Sequence, residues 1–335
     1  MDADSSDLTD PFEAERGRLK AIAYRMLGSS NEAEDAVQES WLRLSRALAQ
    51  PDEPADVAES PIRNLPAWLT TTVSRICLDM LRTRASRRED LAAEPLPAAT
   101  ASPYAEPEDE ALLADETGRA LLVVLDRLSP PERVAFVLHD AFAVPFDAIA
   151  PILDRTPQTT KKLASRARQK VRGTTTPAPT PPSPPSELAR QRQIVTAFLS
   201  AAKSGDLRAI LELLAPDVVR RADPAALAPG RPLEARGADT VANEITLFGQ
   251  ASRYAEPALV NGAAAILVAP RGRLHLAITL TIAPESGLIT AYELIADPAR
   301  LARLDLAVPE PQPSASASPT GHATPVPPSF TYLSR

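Results

Sequence analysis

Histidine and cysteine are nearly missing from this chain: three of the first (His139, His275, His322) and one of the second, Cys77, in 335 residues. The histidines lie far apart and show no metal-ligand spacing. A lone cysteine cannot close an internal disulfide, which fits a reducing cytoplasm. Cys77 stands between Ile76 and Leu78 in a helical pattern and reads as a packed thiol rather than a nucleophile. No catalytic constellation, metal site or cofactor motif stands out, so the chain is expected not to be an enzyme. Apolar runs long enough to span a bilayer are also lacking. The opening MDADSSDLTD is polar and acidic, unlike a signal peptide, so a cytoplasmic protein without membrane association is expected. Positive charge is in the minority, with 36 Lys+Arg against 43 Asp+Glu, so any nucleic-acid binding must come from local patches.

Proline is plentiful at 35 residues and gathers in a few stretches that act as punctuation. A length of 335 residues allows two or three domains. The most informative stretch runs from Val144 to Arg172. Phe146, Ile149, Ala150 and Leu153 recur at helical spacing, Asp154 and Arg155 make a turn, and Thr156 can cap a second helix with Pro157 at its first position. In that second helix Thr160, Leu163, Ala164, Ala167 and Val171 face inward. Lys161, Lys162, Arg166, Arg168, Lys170 and Arg172 crowd the rest, and no acid follows Asp154 before the helix ends. A narrow apolar stripe beneath a basic face suits a helix lying in a DNA major groove. The same pattern fits a solvated basic face at a domain edge.

Before this, Phe12, Leu19, Ala23, Met26 and Leu27 mark one amphipathic helix, ended by Gly28. A second has Val37, Trp41, Leu44 and Leu48 inward and starts with a capping box, Ser29 with Glu32 or Asn31 with Glu34. Glu34, Asp35, Gln38 and Glu39 form an acidic outer stripe, suited to a basic partner or simply to the helix dipole. After a loop from Gln50 to Pro66, a third helix buries Leu69, Val73, Ile76 and Met80. It ends in Arg75, Arg82, Arg84, Arg87 and Arg88, more cations than capping requires. Trp68 fits either core or a platform for an extruded base.

These residues carry a resemblance. FEAERGRLKAIAYRMLGSSNEAEDAVQESWLRL followed by LPAWLTTTVSRICLDMLRTRASRR resembles region 2 of the bacterial extracytoplasmic-function sigma factors, most specifically in AEDAVQESW. SPPERVAFVLHDAFAVPFDAIAPILDRTPQTTKKLASRARQKVR resembles their region 4, and the two blocks follow the family's order and spacing over about half the chain. Between them Leu91 to Glu110 is too rich in Ala, Pro and Glu to build a core. Glu94-Pro95-Leu96-Pro97 is a partial match to the linker motif of sigma factors with a C-terminal extension. A helix is expected from Ala111 through Leu128. Ser129, Pro130 and Glu132 start the next one with a capping box.

Thr174 to Ser186 is a proline-rich, semi-rigid spacer. QRQIVTAFLSAAKSGDLRAILELLAPDVV reads as two helices broken at Gly205. Strand patterns follow after Val241 in PALVNGAAAILVA, RLHLAITLTIA and LITAYELIA, so the C-terminal part is expected to be an α+β cone. It is similar to SnoaL-like domains, which some of these sigma factors carry and which often hold a small-molecule pocket. His275, Asp217 and Tyr292 are the residues there to weigh for acid–base work, and no spacing links them. The family's glycine-rich motif is replaced by RRADPAALAPG, whereas Asp297-Pro298-Ala299-Arg300-Leu301 resembles its closing motif. Past Val308 the tail is expected to be disordered.

The expected architecture is multidomain, with two all-α modules followed by the cone. Region 2 covers 10–90, a linker 91–110, helix-turn-helix region 4 111–173, the spacer 174–186, the cone 187–307 and the tail 308–335. The resemblance implies that Glu34, Asp35, Gln38 and Glu39 dock on core RNA polymerase, on the clamp of its largest subunit, with region 4 on the flap of the second. It implies that Trp68, Arg75, Arg82 and Arg84 act at the minus-ten element. Lys161, Lys162, Ser165 and Arg166 are expected to read bases at minus thirty-five, and Thr159 and Arg168 to hold phosphates. A small molecule in the cone is a further expected partner. The acidic balance agrees, because strong non-specific DNA affinity would sequester such a protein. The alternative is a stand-alone helix-turn-helix regulator whose cone senses a small molecule.

Overall fold

The computed structural model of the protein describes residues 6–49, 62, 64–91, 113–115, 117–173, 185–247 and 252–308. The expectations for the loop at 50–61, the Glu94 to Pro97 motif, the spacer at 174–184 and the tail from 309 lie outside these residues.

Three helices, α1 (Ser6–Leu27), α2 (Ser30–Ala49) and α3 (Leu65–Leu91), pack on one another around Leu19, Met26, Val37, Leu44, Leu69 and Val73. Gly28 ends α1 in the left-handed region, and Ser29 receives the Glu32 amide at 3.4 Å, the first of the two capping pairs considered. Leu48 is a correction. It is 44% exposed, because the last turn of α2 runs past the helices that cover its apolar face.

The expected helix from Ala111 is broken. Gly118, at φ 85°, interrupts it, and α4 spans Arg119–Asp126. Then α5 (Pro130–Phe136) continues through a π turn at Val137–Ala141. Both the Ser129 amide and its hydroxyl donate to Glu132, closing the predicted box. The helix-turn-helix is α6 (Phe146–Leu153) and α7 (Pro157–Arg172), with Asp154 left-handed at the turn and Thr156 accepting from the Thr159 amide at 3.2 Å.

The C-terminal domain begins with α8 (Pro185–Ser204) and α9 (Leu207–Leu213), separated at Gly205 as expected, with Asp206 capping α9. Here a second expectation fails. The chain turns into strand β1 at Leu214–Ala222, where a helix was read to Val219, because Pro216 cannot supply a helical N–H and Val218 and Val219 favour extension. β2 (Glu234–Arg236) and α10 (Ala238–Leu247) follow, so strands start well before Val241. PALVNGAAAILVA is a hairpin of β3 (Ala255–Val260) and β4 (Ala263–Val268), closed by Asn261-Gly262 with both φ positive, the two-residue turn that matches strand twist. β5 (Leu276–Ile282), β6 (Ile289–Ile295), α11 (Pro298–Arg303) and β7 (Leu306–Ala307) complete the domain. The sheet order is β2-β1-β6-β5-β4-β3-β7, antiparallel except for β1 beside β6.

Both faces of this sheet are covered. Ala264, Ile266 and Val268 of β4 face α8 and the domain's own core, while Ala265 and Leu267 join the core formed by the first seven helices. Alternate residues of one strand therefore belong to two different cores, which is why β4 reads as a continuous apolar run.

Candidate nucleic-acid interface

Helix α7 presents the first candidate surface. Thr160, Ala164, Ala167 and Val171 are buried, as the periodicity predicts, while Leu163 is only half-buried. Lys161, Lys162, Ser165 and Arg166 are exposed, and the three cations make no ion pair among the described residues. The rest of the basic run is engaged. Arg168 donates to Asp140 at 2.6 Å, and Lys170 reaches both oxygens of Glu132 at 2.8 and 3.0 Å. Burial raises the Glu132 pKa, but the bonds from Lys170 and Ser129 outweigh it and hold the carboxyl below its ordinary value. Thr159 is exposed at the helix start with its hydroxyl 2.9 Å from that of Thr156. A helix with fixed inner cations and three free outer ones can approach a phosphate-lined groove without first breaking its own contacts.

Helix α3 differs. Arg84 is bound to Glu32 and donates to the Leu27 carbonyl at 3.0 Å, so it ties α3 to the turn between α1 and α2. Arg82 lies on the surface 3.5 Å from Asp79, and Arg75 reaches the Pro151 carbonyl of α6 at 3.4 Å. Trp68 is half-buried and packs against the helical core, which leaves part of its ring on the surface. On α2, Asp35 and Gln38 are exposed, Glu39 pairs with Arg43 at 3.0 Å, and Glu34 bonds Arg16 with Lys20 at 3.4 Å. The bond from Arg16 holds the Glu34 carboxyl below the usual range. Part of the acidic stripe is thus neutralised from within.

The helical modules and the cone also join through contacts that no local pattern announces. Arg133 donates to the Met26 carbonyl at 2.9 Å and pairs with Asp126 at 3.0 Å, linking α5 to α1. Glu256, on β3, accepts the amides of Arg119 and Ala120 at 2.8 and 2.9 Å and so caps α4 from another domain. At the other end of α4, Arg127 donates to the carbonyls of Leu301, Ala302 and Leu304 at 2.8, 3.0 and 3.4 Å, closing the C-terminus of α11. Gly272 lies so close to α4 that a Cβ there would come within 2.8 Å of the Leu122 Cβ. The only sequence signal for any of this was that isolated glycine and an acid in a strand. Asp223, within RRADPAALAPG, accepts the amides of Ala296 and Asp297 at 3.1 and 3.0 Å and binds Arg300. Two segments weighed separately in the sequence are thus parts of one joint.

In the cone, His275 and Tyr292 line the same cavity, whereas Asp217 is exposed on β1 and does not. Burial lowers the His275 pKa and raises that of Tyr292. Cys77 is buried, its thiol pushed up to about 12 by that burial, which fits a packing role.

Comparison with known proteins agrees with the helical modules. Residues 12–87 match the model for Sigma-70 region 2, and residues 118–171 match that for Sigma-70, region 4. The chain is 38% identical to the ECF RNA polymerase sigma factor SigJ of Mycobacterium tuberculosis over 75% of its own length and 78% of that protein. It is 37% identical to the probable ECF RNA polymerase sigma factor SigI of the same species, over 63% of this chain and 68% of that one. Among solved structures, the M. tuberculosis extracytoplasmic function sigma factor SigJ matches at 32% identity and a TM-score of 0.38, covering 88% of this chain and 98% of that one.

Proposed function

The chain belongs to the extracytoplasmic-function sigma factors of bacterial RNA polymerase, and from that premise we propose how its parts divide the work. A sigma factor binds core polymerase and directs it to promoter DNA, and the stand-alone regulator finds no support. In our reading the exposed Asp35 and Gln38, with Glu39 and Glu34 beside them, dock on the clamp of the largest subunit, and region 4 meets the flap of the second. Trp68, Arg75 and Arg82, with the loop before α3, act at the minus-ten element, while Arg84 holds the basic end of α3 in place. Lys161, Lys162, Ser165 and Arg166 read bases at minus thirty-five, and Thr159 and Arg168 set the register on phosphates. Bond making is left to the polymerase, and the site of action is the cytoplasm.

The observation that carries this reading is the set of three exposed cations on α7 that make no ion pair with any described residue. The test is run-off transcription with purified core polymerase over a promoter library, with copurification as control. A chain that fails to bind core enzyme, or that starts transcription nowhere in particular, refutes it.

Regions 2 and 4 touch in this structure, with α3 packed on α5 and α6. Elements about 25 base pairs apart lie about 85 Å apart along B-DNA. Reading both at once therefore requires the modules to part. The chain between Leu91 and Leu113 reaches about 75 Å when extended, enough to permit most of that separation. We assign the cone a role in cis. Among the described residues, its contacts with the helical modules run to α4 and α7. By capping α4 at one end and being capped by it at the other, the cone fixes where region 4 sits. Its occupant, in this reading, is a small molecule. Cutting the chain after Gly173 is expected to change promoter-directed transcription and loosen the particle in small-angle scattering; no change in either removes the cis role.

A further inference from the structure

The cone encloses a cavity of about 110 Å³ between α8, α10 and the inner face of the sheet. Its walls are mostly apolar, from Phe198, Ile245, Ile266 and Leu276 among others. The Arg220 and Glu244 side chains in its lining pair with each other. Arg220, 1% exposed, makes three hydrogen bonds to Glu244 at 2.9 to 3.1 Å and gives another to the Pro232 carbonyl at 2.8 Å. Arg231 lies 3.5 Å from the same carboxylate.

Tyr292 is the exception. It comes from β6, is 6% exposed, and its ring tilts against Phe198 at 6.2 Å. Its hydroxyl makes no hydrogen bond to any described residue and lies near enough to Arg220 and Glu244 to feel both charges. The hydroxyl is not among the fully buried atoms that lack a partner, so it keeps accessible surface in the cavity that Tyr292 lines, where an occupant can reach it.

We propose that this cavity binds a small, neutral, largely apolar molecule bearing one hydrogen-bond acceptor, which the Tyr292 hydroxyl meets. An anion finds Arg220 already taken, and a cation finds Glu244 shared by two arginines. A dry cavity of about 150 Å³ takes up benzene, so the enclosed part of the ligand is about one ring in size. The inference rests on the reading of the cone as a ligand-holding module and narrows its chemistry.

The test uses the full chain and three probes in titration calorimetry: acetophenone, ethylbenzene of similar size without the acceptor, and benzoate with a charge. Acetophenone is expected to bind saturably, and Tyr292→Phe to weaken it about tenfold while leaving ethylbenzene unchanged. Benzoate is expected to bind at least tenfold more weakly than acetophenone. Ala226→Phe, at the cavity wall, should abolish uptake of both neutral probes with the fold intact by circular dichroism. Three results would overturn the site: neither neutral probe binding, Tyr292→Phe leaving acetophenone unchanged, or benzoate binding as tightly. Transcription by the chain cut after Gly173 is measured alongside. A binding failure with altered transcription removes the ligand site alone, whereas unaltered transcription with intact binding removes only the cis role.

Discussion

The two arginine- and lysine-rich helices look alike as strings of letters and behave differently once folded. On α3, Arg75, Arg82 and Arg84 all make contacts within the chain, and Arg84 has two of them in the joint between helices. On α7, Lys161, Lys162 and Arg166 make none with any described residue, and the paired cations Arg168 and Lys170 lie lower on the same helix. The lesson is that a basic run contains two populations. One holds the helix to its neighbours, and the other remains available to a polyanion. For α3 that availability depends on the partner domain moving off, since Arg75 is occupied by region 4.

The sharpest way to break this contrast is the double substitution Lys161→Ala with Arg166→Ala. At about 1–3 kcal/mol per base contact, recognition of the upstream element should fall at least tenfold in run-off assays, with the thermal midpoint unmoved. An equal loss of affinity for every sequence would mean phosphate rather than base contacts. Next in size is Arg84→Ala, which should lower stability by about 1–3 kcal/mol, read by denaturant unfolding, because it strips charge-assisted bonds from a half-buried joint.

Glu256→Ala should cost about 1 kcal/mol by uncapping α4 and should speed hydrogen exchange at the Arg119 and Ala120 amides. An acid titration gives a smaller effect. Glu34, Glu132 and Asp223 all have pKa values lowered in the folded state. Their contribution is therefore present above the unfolded values, about 4, and fades as pH drops through the folded ones. Glu132→Gln should flatten that slope. Arg82→Ala, at an exposed pair 3.5 Å apart, should leave stability unchanged within error.

Much of the helical half was legible, because its signals are local. Thr156, Pro157 and the Thr160-Ala164-Ala167 stripe lie within one helix and its cap, so periodicity and capping chemistry place them without reference to the rest. The cone was harder. Its second helix stops where Pro216 and two valines stand, and that boundary was overrun because Leu213 and Leu214 continue a helical spacing. The Asn261-Gly262 turn was present in the letters and was passed over inside an apolar run. The same run held the sign that β4 is covered on both faces, since Ala264 to Val268 shows no alternation.

Sequence alone determined the identity of most elements, the helix-turn-helix and the family, since each depends on residues a few positions apart. Tertiary structure alone decided which charges are spent within the fold. Arg168 finds Asp140 28 positions away, Arg84 finds Glu32 at 52, and Glu256 reaches the Arg119 amide at 137. A charge's partner depends on distances in space, and at such separations along the chain no periodicity carries that information.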